Sequence, residues 1–199
     1  MRLSAPRIVG HHQQYQVMLK FVLQLAYMYR YNPALRYARD MARRGALGDL
    51  FAVDAVMSTE HPREYREWLR QFRGGAMYIF GCHLIDLVIG FLGPPERVVS
   101  WLKKTRFEGG DVPDTTLALL EYPNGVSTVR VSSVEVNGFG RRQLVVLGTE
   151  GSIEIKPLER PTVATYARGG GPDRYGDHKQ TVALPPMGGR YDELMLDFA

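Results

Sequence analysis

A chain of 199 residues that is 45% hydrophobic and 11% aromatic can bury a substantial core, as one large domain or two small ones. Its 25 basic and 21 acidic residues are interleaved, so the net charge of +4 describes a solvated surface, not the concentrated basic stripe of a nucleic-acid binder. The single cysteine, Cys82, excludes an intrachain disulfide, and no apolar run reaches the roughly 18 residues of a membrane span. The start, Met1 to Arg7, lacks an apolar signal core, and a cytoplasmic setting is expected.

Residues 1–21 read as a loose leader or the remnant of a preceding domain. Its adjacent His11 and His12 have no second ligand pair at metal spacing, so no metal site is expected. Residues 21–31, rich in aromatic and aliphatic side chains, read as a strand that feeds a helix at Asn32-Pro33, where Asn caps and Pro takes the first helical position. That helix puts Leu35, Ala38, Met41 and Ala42 on one side and stops at Gly45. Residues 50–59 read as a strand, and residues 62–72 as a helix with Tyr65, Trp68, Leu69 and Phe72 at helical spacing. Gly74-Gly75 breaks the chain before a further helix that ends near Gly93.

Beyond Pro95 the pattern turns to β. Residues 97–103 form a candidate strand, and residues 115–122 pair with 126–136 across Pro123-Asn124-Gly125. In the second of these strands Val129 and Val131 face one way while Thr128, Arg130 and Ser132 face the other, as in an antiparallel sheet covered on one side. A second hairpin joins 143–147 to 152–155 through Gly148-Thr149-Glu150-Gly151, and short strands follow at 162–167 and 181–184. Residues 168–177 read as a Gly-rich surface loop without the Lys-Ser/Thr pair of a phosphate cradle, and Gly138-Phe139-Gly140 is only a fragment of a dinucleotide fingerprint. Residues 191–199 begin an amphipathic helix. The expected fold is α+β, an open and mainly antiparallel sheet with helices packed on one face.

The run from Gly74 to Asp86 places two polar groups, His83 and Asp86, inside an apolar segment, three residues apart and so on one helix face. They read either as a site in which the carboxylate orients the imidazole or as a core histidine satisfied by a neighbouring acid. Tyr65 and Trp68 suit either a sugar-binding wall or core packing. Arg30 reads as an ion pair near the sheet edge. His61 and His178 are expected in exposed loops, and Asp111 and Asp114 in a turn.

Several motifs in order, Arg30-Tyr31-Asn32-Pro33, Gly45-Ala46-Leu47-Gly48, Gly74-Gly75, His83-Leu84-Ile85-Asp86 and Gly148-Thr149-Glu150-Gly151, resemble the C-terminal domain of the Gfo/Idh/MocA oxidoreductases over about residues 22–199. In that family an N-terminal Rossmann domain binds NAD or NADP, and the sheet of the C-terminal domain mediates homo-oligomer assembly. The resemblance implies a sugar or polyol substrate and hydride transfer at a hydroxyl-bearing carbon. It matches His83 to the catalytic histidine, Asp86 to the aspartate one turn later, and Arg30 to an arginine supporting the substrate region.

The family's aspartate four residues before the histidine is Ile79 here, and its Glu-Lys-Pro segment does not occur. Residues 1–21 are too few for a Rossmann unit, so no cofactor-binding residue is assigned and the chain alone is expected to be inactive. Two readings follow: the substrate-binding and assembly domain of an NAD(P)-dependent sugar or polyol oxidoreductase, or a non-catalytic assembly module using the sheet face that bears Thr128, Arg130 and Ser132.

Overall fold

A computed structural model of the chain describes residues 24–105, 112–159, 161–170 and 178–198. The expectations for the leader at 1–21, for Asp111 and for the loop at 171–177 fall outside these residues.

The first element is fixed by its cap. The Asn32 side chain accepts from the backbone N–H groups of Ala34 (2.9 Å) and Leu35 (3.4 Å), opening α1, Pro33–Arg43. The strand expected at 21–31 is not found in its described part. Met28–Tyr31 is a 3-10 turn whose N–H groups bond locally, Arg30 to Tyr27 and Asn32 to Tyr29. The apolar composition there lacks a two-residue alternation, since Tyr29 is buried and Leu25 is exposed, so no sheet face is specified.

The sheet comprises β1 (Leu50–Ser58), β2 (Arg97–Lys103), β3 (Thr115–Tyr122), β4 (Gly125–Ser132), β5 (Gln143–Gly148), β6 (Gly151–Ile155), β7 (Ala164–Arg168) and β8 (Gln180–Thr181). Its order among the described residues is β2-β3-β4-β1-β5-β6-β7-β8, with β1 inserted at the centre. Only the β1–β4 pair is parallel, so the sheet is open and mainly antiparallel, as expected. Gly125 is required at that junction, because a Cβ there would stand 1.7 Å from the carbonyl oxygen of Phe51. The last strand, expected at 181–184, ends at Thr181, followed by a bond from the Val182 N–H to the Ala164 carbonyl at 2.9 Å.

Register separates the two faces. One cross-strand row runs Ser100, Ala118, Val129, Ala55, Leu144, Ile155 and Ala164, and all but the edge serine are buried. The next row runs Val99, Leu119, Thr128, Asp54, Val145, Glu154, Thr165 and Thr181 and mixes polar with partly exposed apolar side chains. Helices cover the first face: α1 contributes Ala34, Leu35 and Ala38, and α3 (Cys82–Leu92) contributes Leu84, Leu87 and Val88. The expected helix at 62–72 appears as α2 (Arg63–Trp68) followed by a 3-10 turn, and Asp192–Phe198 forms α4. Gly74 and Gly75 both adopt positive φ and turn the chain into a π-helical turn, Met77–Gly81, which runs directly into α3.

Leu144 is fully buried at the centre of this core, whereas Leu196 on α4 is 77% exposed. Urea denaturation is expected to show Leu144→Ala costing about 2–5 kcal/mol through lost burial and cavity formation. Leu196→Ala is expected to stay within about 0.5 kcal/mol.

Candidate active site around His83

With Leu84, Leu87 and Val88 turned into the core, His83 and Asp86 lie on the flank of α3 beside the 3-10 turn at Met28–Tyr31. The His83 ring is half-buried between two tyrosines that meet it edge-on, Tyr27 at 5.9 Å and 84° and Tyr29 at 6.0 Å and 88°. Its Nδ1 is buried and has no hydrogen-bond partner. Burial pushes the imidazole below its ordinary value of 6.5; the Asp86 and Glu159 charges oppose this, and Arg190 and Arg142 add to it.

Asp86 does not hydrogen-bond the imidazole, which corrects the expected pairing. Both of its oxygens are taken by Arg30: Nε donates to Oδ2 at 2.8 Å and the second guanidinium nitrogen donates to Oδ1. A planar guanidinium meets a carboxylate with two parallel charge-assisted bonds, which an imidazole cannot match. Arg30 also lies over the Tyr27 ring, 5.1 Å from its centroid. Asp86 therefore acts on His83 through its charge and fixes Arg30 beside it.

Tyr65 and Trp68 belong to a neighbouring aromatic stack. His61 stacks on Tyr65 (4.4 Å) and on Phe80 (5.1 Å), which are themselves 6.3 Å apart, and Trp68 meets Tyr65 at 5.2 Å and Phe72 at 4.7 Å. Phe80 stands three residues before His83 and links this stack to the helix that carries it. His61 was expected to be exposed; instead it is half-buried, its Nε2 buried without a partner, because Tyr65 and Phe80 cluster against it. Burial, with Arg142 and Arg66, also holds His61 below 6.5. His178 is exposed. Asp114 is buried and accepts from the backbone N–H (2.9 Å) and hydroxyl (2.8 Å) of Thr105.

A buried carboxylate, Glu159, completes the surroundings. Its Oε1 accepts from the Tyr29 hydroxyl and from Arg142, both at 2.7 Å, and its Oε2 accepts from Arg190. Burial alone would raise its pKa, but the Tyr29 hydrogen bond and the two arginines outweigh burial and hold it below the usual carboxylate value. Arg142 also donates to the Ser58 carbonyl at 3.3 Å and to the Thr59 hydroxyl, tying the end of β1 to the same group. Sequence reasoning missed this cluster. Its members lie 17, 31 and 130 residues from Glu159, a spacing that carries no local signal. A cavity of about 70 Å³ opens beside it, lined by Tyr29, Tyr31, Asn32, Glu159 and Arg190.

The strand-to-helix connection from β1 to α2, Thr59-Glu60-His61-Pro62, has no glycine to let a backbone approach a pyrophosphate, and α2 is only six residues long. That connection thus lacks the glycine-rich turn of a dinucleotide fingerprint. Among the described residues no group of three or more His, Cys, Asp or Glu side chains is placed to hold a metal ion.

His83 and His61 both titrate below 6.5 in the folded chain, so below that pH the unfolded chain binds more protons. Their contribution to stability is complete above pH 6.5 and is lost as the pH falls towards the depressed folded values. Urea midpoints at pH 7.5 and 5.5 are expected to show this loss, with a smaller drop in His83→Gln; an unchanged drop would contradict the burial of the imidazole.

Comparison with known proteins places this geometry in context. Residues 35–154 match the family model for the GFO/IDH/MocA C-terminal domain. Trans-1,2-dihydrobenzene-1,2-diol dehydrogenase of Bos taurus is 27% identical over 166 residues, covering 81% of this chain and 45% of that enzyme. D-xylose 1-dehydrogenase [NADP(+)] of Haloarcula marismortui is 30% identical over 148 residues, covering 70% of this chain and 40% of that enzyme. Levoglucosan dehydrogenase, solved in complex with NADH, shares the fold with a TM-score of 0.73 at 20% identity, over 93% of this chain and 58% of that one. The chain spans less than half the length of these two curated relatives. The match over more than half of its residues, with the 30% identity to a haloarchaeal enzyme, shows that the chain belongs to the GFO/IDH/MocA C-terminal domain family.

Proposed function

We propose that the chain is the substrate-binding and assembly domain of an NAD(P)-dependent sugar or polyol oxidoreductase, with His83 exchanging a proton with the reacting oxygen of the substrate. The observation that carries this reading is the imidazole itself: half-buried, held between two tyrosine edges, and flanked by the Asp86–Arg30 pair. The names of the relatives, a xylose dehydrogenase acting with NADP(+) and a dihydrodiol dehydrogenase, support the substrate class.

Oxidising an alcohol carbon requires a group that takes the hydroxyl proton. A depressed pKa leaves His83 neutral near pH 7 and able to accept it. Accepting at Nε2 requires the neutral ring to carry its own proton on Nδ1, and because Nδ1 has no partner the imidazolium gains no stabilising hydrogen bond there, so the proton is readily passed on. Ile79 packs with Leu69, Ala76 and Val131, which leaves no second acid at that position. Arg30, its side chain half exposed while pinned to Asp86, is the proposed partner for substrate hydroxyls. Tyr65 and the exposed edge of Trp68 are the proposed outer wall. NAD or NADP would bind outside the described residues. The lone, half-buried thiol of Cys82 supports a cytoplasmic setting.

An isotope-labelled sample of the chain, titrated with D-xylose and with a vicinal diol, is expected to show shifts at His83 and Arg30. His83→Ala should weaken that binding about fivefold, the loss of one hydrogen bond of about 1 kcal/mol. Binding that bypasses His83, or equal binding by the variant, would contradict the reading.

A second role rests on the open face of the sheet. Val99, Trp101 and Val126 are 36%, 41% and 49% exposed on that face, Val99 and Trp101 in the rows of Thr128 and Arg130 and Val126 two residues before Thr128 on β4. Thr128 donates to Asp54, and Arg130 forms an ion pair with Glu135 at 3.6 Å. Ser132, expected at the exposed surface, is buried beneath its neighbours. An isologous contact through this face would cover the apolar side chains. Sedimentation is expected to show a dimer that Trp101→Glu converts to monomer, and a wild-type chain that stays monomeric at high concentration would contradict it.

A further inference from the structure

The Tyr29 ring that walls His83 is not held by packing alone. Its hydroxyl donates to Glu159 at 2.7 Å, and the opposite oxygen of that carboxylate accepts from Arg190, which stands just before α4. The C-terminal segment has two further polar ties near this wall: Glu193 pairs with Arg36 on α1, and Asp197 accepts from the Tyr31 hydroxyl. Leu194, buried on the same segment, docks it. Glu159 is 2% exposed, so breaking either of its outer bonds leaves buried charge or a buried donor unpaired. The carboxylate thus joins an element far along the chain to the ring that touches the imidazole.

We propose that Glu159 is a positioning residue: through the Tyr29 hydroxyl it fixes the aromatic wall against His83, and through Arg190 it makes that wall depend on docking of the C-terminal segment. This rests on the reading of His83 as the proton-exchanging group. The arrangement gives the site a long-range requirement. When Arg190 leaves Glu159, Tyr29 loses its fixed acceptor geometry, water reaches the imidazole edge, and the ring returns towards the behaviour of an exposed histidine. The charged and titratable groups that face His83 are Asp86 from its own helix, Tyr27 and Tyr29 from the 3-10 turn, and Glu159, Arg142 and Arg190 from the remaining elements.

The test follows the His83 ring in the 199-residue chain by 13C–1H spectroscopy as pH is varied. It compares wild type with Tyr29→Phe and Arg190→Met; because loss of the partly buried Arg190 charge by itself raises the imidazole pKa, the ring-to-ring contact decides the Arg190 arm. Tyr29→Phe keeps the ring and removes only the hydroxyl. Both variants are expected to raise the protonation constant of His83 at least twofold and to weaken the proton–proton contact between the ring at 29 and the imidazole. Arg190→Lys is expected to restore much of both. A titration curve superimposable on wild type in folded Tyr29→Phe, or an unchanged ring contact in folded Arg190→Met, would overturn the proposal. If Tyr29→Phe does not fold, the part-exposed Arg190 decides with its two variants. Because the imidazole is read directly, the positioning role can fail while sugar binding at His83 stands, and the reverse.

Discussion

The site exists where it does because α3 has one face to give to the sheet. Leu84, Leu87 and Val88 are driven fully into the core against β1, each burial contributing about 1.5–3 kcal/mol. That packing fixes the rotation of the helix and leaves His83 and Asp86 on its flank, towards Tyr27, Tyr29 and Arg30. Central placement of β1 is the other half of the constraint. Its parallel pairing with β4 and antiparallel pairing with β5 bury Val53, Ala55 and Met57 as a platform for the helix.

On that platform two carboxylates divide the work. Asp86 is partly solvated and holds Arg30 by two bonds, which spends its hydrogen-bonding capacity on a cation and leaves only its field for the imidazole. Glu159 is dry and binds a phenol and two arginines, which anchors the wall and ties in the end of β1. Neither carboxylate pairs with Nδ1 of His83. The neutral ring is therefore the favoured form, held by burial and by nearby guanidinium groups. With Ile79 in an apolar cluster, the proposed proton exchange rests on His83 without a second acid at that position.

What was legible in the sequence was local. Asn32-Pro33 specified a helix start because a cap is satisfied within three residues, and the two hairpins followed from short turns between alternating segments. The order of motifs carried the family. Features decided by distant partners were hidden. Three-residue spacing correctly put His83 and Asp86 on one flank, but it contained nothing about Arg30, 56 residues away, which captures the carboxylate. The aromatic run ending at Tyr31 looked like a strand by composition, yet it lies beside α3 with its donors satisfied in a 3-10 turn. His61 looked exposed beside Pro62 because stacking on Tyr65 and Phe80 is a property of the folded chain. Glu159, in a loop among prolines, has partners 17, 31 and 130 residues away and so carried no local signal.

The central claim is that the fold keeps the half-buried His83 imidazole neutral near pH 7, the form the proposed proton exchange requires. The most direct measurement is the 13C–1H titration of the wild-type His83 ring, assigned with His83→Gln. The expected result is a midpoint below 6.5 and a neutral imidazole at pH 7. A midpoint at or above 6.5 would mean that the imidazolium finds an acceptor for Nδ1, and would contradict the claim.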